Sequence, residues 1–374
     1  MINSIIKQKI ISDDINFKEI EKSRFSIPKY NAKTYTEDIL KSNYYYAIIL
    51  IRHYLRMVAD YHLSFNEGSK NIDLFMLTPS ISSPCGPGSD SVPIPIKFGK
   101  LNTNLVDSSQ FGFEPLLLFK NLDKVHCYLP SMRGEDFDKR HLNQFFHLEM
   151  EIVGALKDLK PTIEKLLKVM ASGLLLMENI IDKVSSNPQK TKVYLSNIIA
   201  AKKFQTITFD QAIEVLTEHN KKEFINFTPK GRDISARGEL ELMKILKVKT
   251  PLWISGFDRD RVPFYQKPDP ENPNRTINAD LLFPPIEEGA FGGEIIGSGQ
   301  RQDSCEEMYD SLKRQNGISP QNYEWYINLR RNKNYTTTSG FGLGVERLIT
   351  WALGNDNIQN AILYPRLKNI KTFP

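Results

Sequence analysis

The stretch Gly340-Phe-Gly-Leu-Gly-Val-Glu-Arg347 alternates glycine with apolar residues, then passes into an amphipathic pattern from Val345 to Leu353. It reads as a Gly-rich turn running straight into a helix that carries Arg347 in its first turns. Glycines let a backbone approach a ligand closely, and a fixed guanidinium suits a phosphate. Alone, such a turn with a surface arginine is common. A second arginine-bearing segment lies upstream, Arg133-Gly-Glu-Asp-Phe-Asp-Lys-Arg-His-Leu-Asn-Gln-Phe145.

The rest of the chain is ordinary globular material, 374 residues with 40% hydrophobic and 25% charged. Lys and Arg total 49 against 44 acidic residues, for a net charge of +5. That balance is only weak support for a nucleic-acid partner, because binders concentrate basic residues in a patch. Cys85, Cys127 and Cys305 are far apart with no metal-ligand spacing, which implies free thiols in a reducing compartment. Met1 to Phe25 lacks the continuous apolar core of a signal peptide, and no run approaches the ~18 apolar residues of a membrane span. A soluble cytoplasmic protein with no membrane partner is the expectation.

Residues 1–40 are polar and Lys-rich, with one short amphipathic stretch, Ile5 to Ile11. Asn43 to Leu63 has apolar residues at helical spacing. Asp73 to Leu77 reads as a strand ending at Thr78-Pro79, and Ser80 to Ser91 as a loop. Val92 to Phe98, Leu105-Val106, Val125 to Leu129 and Leu142 to Ile152 read as strands, with a helix over Phe111 to Asn121. A long helical pattern covers 155–184, followed by a loop at Ser185 to Lys192 and short pieces over Val193 to Asn226. Among these, Thr208 to Leu216 has a good helix N-cap at Thr208 or Asp210. Leu252 to Ser255, Leu281 to Phe283 and Glu294 to Ile296 are strand candidates. Lys267 to Arg275 is a proline-stiffened loop, and helices follow over Cys305 to Gln315 and Pro320 to Leu329. The pattern is α+β: one antiparallel sheet flanked by helices, with a mostly helical insertion at about 155–226.

The Gly-rich and Arg-rich segments resemble motifs 3 and 2 of class II aminoacyl-tRNA synthetases. The resemblance covers about 43–374 and is nearest to asparaginyl-tRNA synthetase and the asparagine-synthetase-like paralogues of class IIb. Pro263-Phe-Tyr-Gln-Lys267, Asn278-Ala-Asp-Leu-Leu-Phe-Pro284, Gly293-Glu-Ile-Ile-Gly-Ser-Gly-Gln-Arg301, Tyr323-Glu-Trp-Tyr-Ile-Asn-Leu-Arg330 and Tyr364-Pro-Arg366 follow the family in order. The resemblance implies a catalytic domain over 41–374 preceded by a short extension at 1–40. It also implies a homodimer through the helix at 43–63.

The family's first reaction joins a carboxylate to the α-phosphate of ATP and expels pyrophosphate, which calls for positioned guanidinium groups and magnesium. The resemblance implies that Arg133 holds the α-phosphate and the carboxylate, and that Glu135 contacts the adenine amino group. It places His141 at the γ-phosphate, Phe145 in a stack on adenine and Arg347 across the triphosphate. Asp280 and Glu294 would hold magnesium. Read singly, Arg133, Glu135 and Arg140 are equally a solvated charge cluster, Phe145 and Phe146 core, and Asp280 a turn residue. Read together with Arg347 they make an ATP site. Ser108-Ser-Gln-Phe-Gly-Phe-Glu114 resembles the substrate-recognition segment, with Gln110, Glu114 and Arg301 at the substrate side chain. Aspartate-specific members have a lysine where Phe113 stands, whereas asparagine-specific members have the glutamate found at Glu114. An uncharged side chain, amide-like or otherwise polar, is therefore expected over aspartate, with Glu114 accepting from an amide nitrogen and Arg301 donating to its oxygen. The bland alternative pairs Glu114 with Arg301 alone.

Four departures stand out. Only some 40 residues precede the helix at 43, too few for the family's five-stranded anticodon-binding barrel. The interval from Arg133 to His141 is one residue short. Gly86 takes the place of the glutamate that recognises the α-amino group, which leaves either Asp90 as its substitute or an altered α-amino site. Thr338 replaces a histidine before motif 3, and Gln144 replaces a glutamate. The leading expectation is therefore an ATP-dependent ligase that passes an acyl-adenylate to an amine or ammonia. The alternatives are a truncated asparaginyl-type enzyme that charges tRNA or another RNA, and an inactive regulatory paralogue.

Overall fold

The computed structural model describes residues 2–20, 24–83, 91–315 and 318–373. Its main sheet has eight strands: β1 (Lys70–Asn71), β2 (Lys124–Met132), β3 (Gln144–Val153), β4 (Gln205–Thr208), β5 (Leu252–Ser255), β6 (Asn278–Phe283), β7 (Gly293–Gln300) and β8 (Thr338–Gly344). Their spatial order is β1-β2-β3-β8-β7-β6-β5-β4. The inner six pair antiparallel, and the two edge strands pair parallel. The α+β expectation thus holds with a mixed rather than purely antiparallel sheet. The parallel β4–β5 step needs a long crossover, which the helices Phe209–Glu218 and Ala236–Ile245 supply.

One sheet face is apolar. Leu148, Met150 and Ile152 of β3, Ile296 of β7 and Phe341 and Leu343 of β8 join one core with Ile48, Ile51 and Leu55 of the helix Asn43–Tyr61 and with Leu159, Ile163 and Leu166 of the helix Leu156–Leu175. Strand alternation then sends the intervening residues to the opposite face. These are His147, Glu149 and Glu151 on β3, and Gly340, Gly342 and Gly344 on β8. The buried pair of Arg52 with Glu346, 2.6 Å apart, ties the Asn43–Tyr61 helix to the helix Val345–Ala352. Glu346 also accepts from the Phe146 amide of β3.

Several sequence readings change. The expected Gly-rich turn at 340–344 is the strand β8, which continues without a loop into the helix Val345–Ala352. The loop at 185–192 is cut short by a helix, Pro188–Ala200, whose proline stands in the first turn after an Asn187 cap. The region 155–226 holds four α-helices and the short 3-10 helix Lys222–Phe224, together with β4 and the start of a strand at Ile225–Thr228. The expected strand at 73–77 is two short pieces, Lys70–Asn71 and Leu77–Thr78, because the segment passes from the main sheet to a small three-stranded one. The polar N-terminal stretch forms a helix, Ser4–Lys18, that buries Ile6, Ile10 and Phe17 in the main core. Cys127 and Cys305 are buried free thiols, while Cys85 lies outside the described residues. No described helix is long and apolar enough to cross a membrane.

Asp14 fixes this first helix in place. Its buried carboxylate accepts from the Asn179 and Ile180 amides and the Asn179 side chain, capping the helix Glu178–Val184. Asp14→Ala should lower the unfolding free energy by about 1–3 kcal/mol, because those donors lose a charged acceptor. Urea denaturation of both proteins measures it, and an unchanged midpoint would contradict the role.

Candidate active site

A cavity of about 570 Å³ opens on the glycine-bearing face. Gln110, Arg133, Glu135, His141, Phe145, Asp280, Glu294, Arg301 and Arg347 all line it, so nine of the ten residues singled out from the sequence meet there. Its floor is bare: Gly297 and Gly299 of β7 lie opposite Gly342 and Gly340 of β8. A Cβ on Gly340 would run into the Glu151 carboxylate and the Arg301 guanidinium, so only glycine fits there.

At one end stands Arg133. Its Nε is buried without a hydrogen-bond partner, and its guanidinium lies 5.4 Å from the Phe145 ring centre. Asn143 clasps the loop that carries it, donating to the Arg133 and Glu135 carbonyls at 2.9 and 2.6 Å. Glu135 accepts from the Val92 amide. His141 is half exposed and pairs with Asp138 at 2.9 Å. Its pKa is lowered by burial and by the nearby Arg347 charge.

Across the floor, Arg347 donates to the Glu294 carbonyl and carboxylate, both at 3.1 Å. Glu294 reaches this face through a bulge: Leu281 pairs with Ile296 and Leu282 with Glu294, leaving Ile295 unpaired. Without the extra residue, alternation would turn Glu294 into the core. Burial works against the Glu294 charge, but Arg347 brings its pKa below the ordinary value. Asp280 is raised well above its ordinary value by burial and by the Glu294 and Glu239 charges. Both carboxylates overhang Gly297, where an added Cβ would lie 3.4 Å from Glu294 Oε1 and 3.6 Å from Asp280 Oδ1. Two hard oxygen donors on one side of a cavity fit magnesium, which completes its shell with phosphate oxygens and water. No cluster of three or more metal-ligating side chains occurs among the described residues.

The other end is where the sequence reading fails. Arg301 does not meet Glu114. Its Nε and Nη2 form a bidentate pair with Glu151 at 2.9 and 2.8 Å. Burial pushes the Glu151 pKa up, against the pull of Arg301. Glu114 does not line the cavity. It is buried behind Gln110, paired with Arg330 at 2.7 Å and bonded to the Tyr326 hydroxyl. Its helix, Gln110–Leu116, faces Gln110 inward and carries Glu114, one turn on, against the Pro320–Arg331 segment. The expected Glu114 contact to a substrate amide, and the bland Glu114–Arg301 pair, are both replaced. Gly86 and Asp90, named for the α-amino group, lie outside the described residues.

Sequence reasoning missed Glu149, Glu151, Glu239, Arg261 and Gln266. The first two could have been found from the alternation Leu148-Glu-Met-Glu-Ile152, which puts two acids on the polar face of a strand. Glu149 accepts from Ser108 Oγ at 2.6 Å and the Ser109 amide at 2.7 Å, positioning the segment that carries Gln110. Arg261 pairs with Asp233 at 3.0 Å while its buried Nε and Nη1 have no partner.

A family model described as tRNA synthetases class II (D, K and N) matches residues 70–368, and the chain belongs to that family. Within it, the chain is similar to asparagine–tRNA ligases. It is 35% identical to that of Thermococcus kodakarensis over 265 residues, 70% of this chain and 57% of that protein. It is 29% identical to that of Mycoplasma genitalium over 348 residues, 89% and 72% of the two chains. The asparaginyl-tRNA synthetase of Pyrococcus horikoshii complexed with asparaginyl-adenylate superposes with a TM-score of 0.78 at 28% identity, covering 93% of this chain and 76% of that one. The chain thus spans less than three fifths of the length of the Thermococcus relative.

Glu239 gives a pH test of the site's electrostatics. Burial and the Glu294 charge push its pKa to about 7. A raised acid favours the folded state below its unfolded pKa, and that contribution is lost as pH rises through the folded value. Glu239→Gln should therefore gain stability relative to the native chain between pH 5 and pH 8. Urea midpoints at both values check this; an equal difference at each would contradict it.

Proposed function

We propose that this chain activates asparagine as an acyl-adenylate in this cavity and transfers it to a tRNA. The observation that carries the reading is the pair of guanidinium groups, Arg133 and Arg347, on one bare glycine floor with a buried Arg301–Glu151 pair at its far end. The floor leaves room for a substrate to lie flat between them. One oxygen of the amino acid's carboxylate attacks the α-phosphorus of ATP, and the bond to the pyrophosphate oxygen breaks. Arg133, with its unpaired Nε, is placed to take the charge that grows on the α-phosphate. Arg347, held by Glu294, faces the departing pyrophosphate, and Phe145 with Glu135 offers a stacking surface and an acceptor for adenine. Magnesium held by Asp280 and Glu294 would neutralise phosphate charge.

At the far end, Glu151 takes up Arg301 Nε and Nη2. The substrate side chain therefore meets a paired cation with Nη1 left to donate, which suits a neutral carbonyl better than a carboxylate. The likeness to asparagine–tRNA ligases favours tRNA as acceptor over the amine or ammonia acceptor expected from the sequence. Tyr46 and Ile49 of the Asn43–Tyr61 helix, 46% and 43% exposed, leave an apolar surface on which the expected homodimer would form. Sedimentation at micromolar concentration should then report twice the 43.0 kDa chain mass, and a single-chain mass would contradict it.

ATP–pyrophosphate exchange with a panel of amino acids tests the activation step. Asparagine should stimulate it more than aspartate does. Arg133→Ala and Arg347→Ala should each reduce it roughly 10- to 150-fold, the worth of one charged hydrogen bond. Exchange that prefers aspartate, or survives both substitutions, would contradict the site. Faster AMP release with ammonia or an amine than with tRNA would overturn the acceptor.

A further inference from the structure

We propose that Gln266 is the residue that reads the substrate's side-chain amide, its Oε1 accepting an amide N–H while Arg301 donates to the carbonyl. The inference rests on the asparagine reading above and assigns an acceptor to the substrate's amide nitrogen. A primary amide needs an acceptor as well as a donor, and three glutamates around this cavity are committed. Glu149 accepts from the Ser108 and Ser109 hydroxyls and the Ser109 amide. Glu114 is bound to Arg330 and Tyr326 behind the cavity wall. Glu151 is fully buried beneath Arg301, does not line the cavity, and gives both carboxylate oxygens to that guanidinium.

Gln266 lines the cavity. Its backbone bridges to Arg301, and its carboxamide lies over Gly299, where an added Cβ would stand 2.8 Å from Nε2 and clash with Oε1. Gly299 is the direct β-sheet partner of Gly340, the glycine over which Arg301 and Glu151 meet. Directly opposed residues of antiparallel strands project to the same face about 4.5–5.5 Å apart. The Gln266 carboxamide and the Arg301 guanidinium are therefore neighbours on one floor. As it stands Oε1 is buried without a hydrogen-bond partner, and no described residue bonds to Nε2. A carboxamide held by nothing in the protein can turn end for end, so a bound substrate sets which atom it presents. Beside an amide whose oxygen is taken by Arg301, the matching atom is Oε1.

Exchange assays with two acids separate this from a packing role. Asparagine offers amide N–H donors; the β-methyl ester of aspartate keeps the carbonyl and offers none. Gln266→Met keeps the side-chain length and removes the polar end. It should lower kcat/KM for asparagine about tenfold, the worth of one neutral hydrogen bond, and leave the ester unchanged. Gly299→Ala, which displaces the Gln266 carboxamide, should reproduce the asparagine loss with Gln266 still present. Equal loss on both acids, or no loss on either, overturns the proposal. A native chain that shows no exchange with asparagine, yet exchanges with another acid, overturns the asparagine reading itself and this inference with it.

Discussion

The constraint on which the structure depends is the absence of side chains from the cavity face of the two central strands. Four glycines, Gly297 and Gly299 on one strand and Gly340 and Gly342 on the next, clear the middle of an eight-stranded sheet. Glycine in a strand weakens it, because it packs nothing and costs conformational entropy. The opposite face offsets that loss: Ile296, Phe341 and Leu343 are all buried against two long helices. Alternation thus makes the same strands apolar below and empty above. The cavity is a direct consequence of strand parity: with no Cβ atoms on this face, the Gln266 carboxamide can lie over Gly299 and the Arg301–Glu151 pair over Gly340.

Those charges are arranged in pairs with different degrees of freedom. Arg301 is locked by two bonds to Glu151, while Arg133 keeps an unpaired, buried nitrogen. Arg347 stands between these cases, held by one carboxylate that also faces Asp280. A buried donor without a partner is costly and a bound anion removes the cost, so the unpaired Arg133 nitrogen marks a place where a phosphate gains. A locked pair has its charge already compensated, which suits a neutral group. The same residue type therefore does different work at the two ends of the floor.

Much of this was legible in the sequence, and what was missed has a common cause. The strands at 124–132 and 144–153 and the helix at 43–61 follow from apolar periodicity, which local packing enforces. The convergence of Arg133, Glu294 and Arg347 on one cavity follows from the resemblance of their segments to class II synthetase motifs. The Glu114 contact was not correctly read, since a short helix decides which of two residues one turn apart faces the cavity, and that depends on Arg330, more than two hundred residues away. The glycines at 340–344 were read as a turn because glycine usually signals one, whereas sheet pairing on both sides overrides that preference. Gln266 lies inside the family-like segment Pro263–Lys267, but nothing local singles it out, since its position matters through the glycine it covers.

The most direct test of the account is a crystal structure with the non-hydrolysable adenylate analogue asparaginyl-sulfamoyl-adenosine. The account places the sulfamoyl group beside Arg133, the adenine on Phe145, and the carboxamide between Arg301 and Gln266 above Gly299 and Gly340. An analogue bound elsewhere, or turned so that its carboxamide meets neither Arg301 nor Gln266, would contradict it.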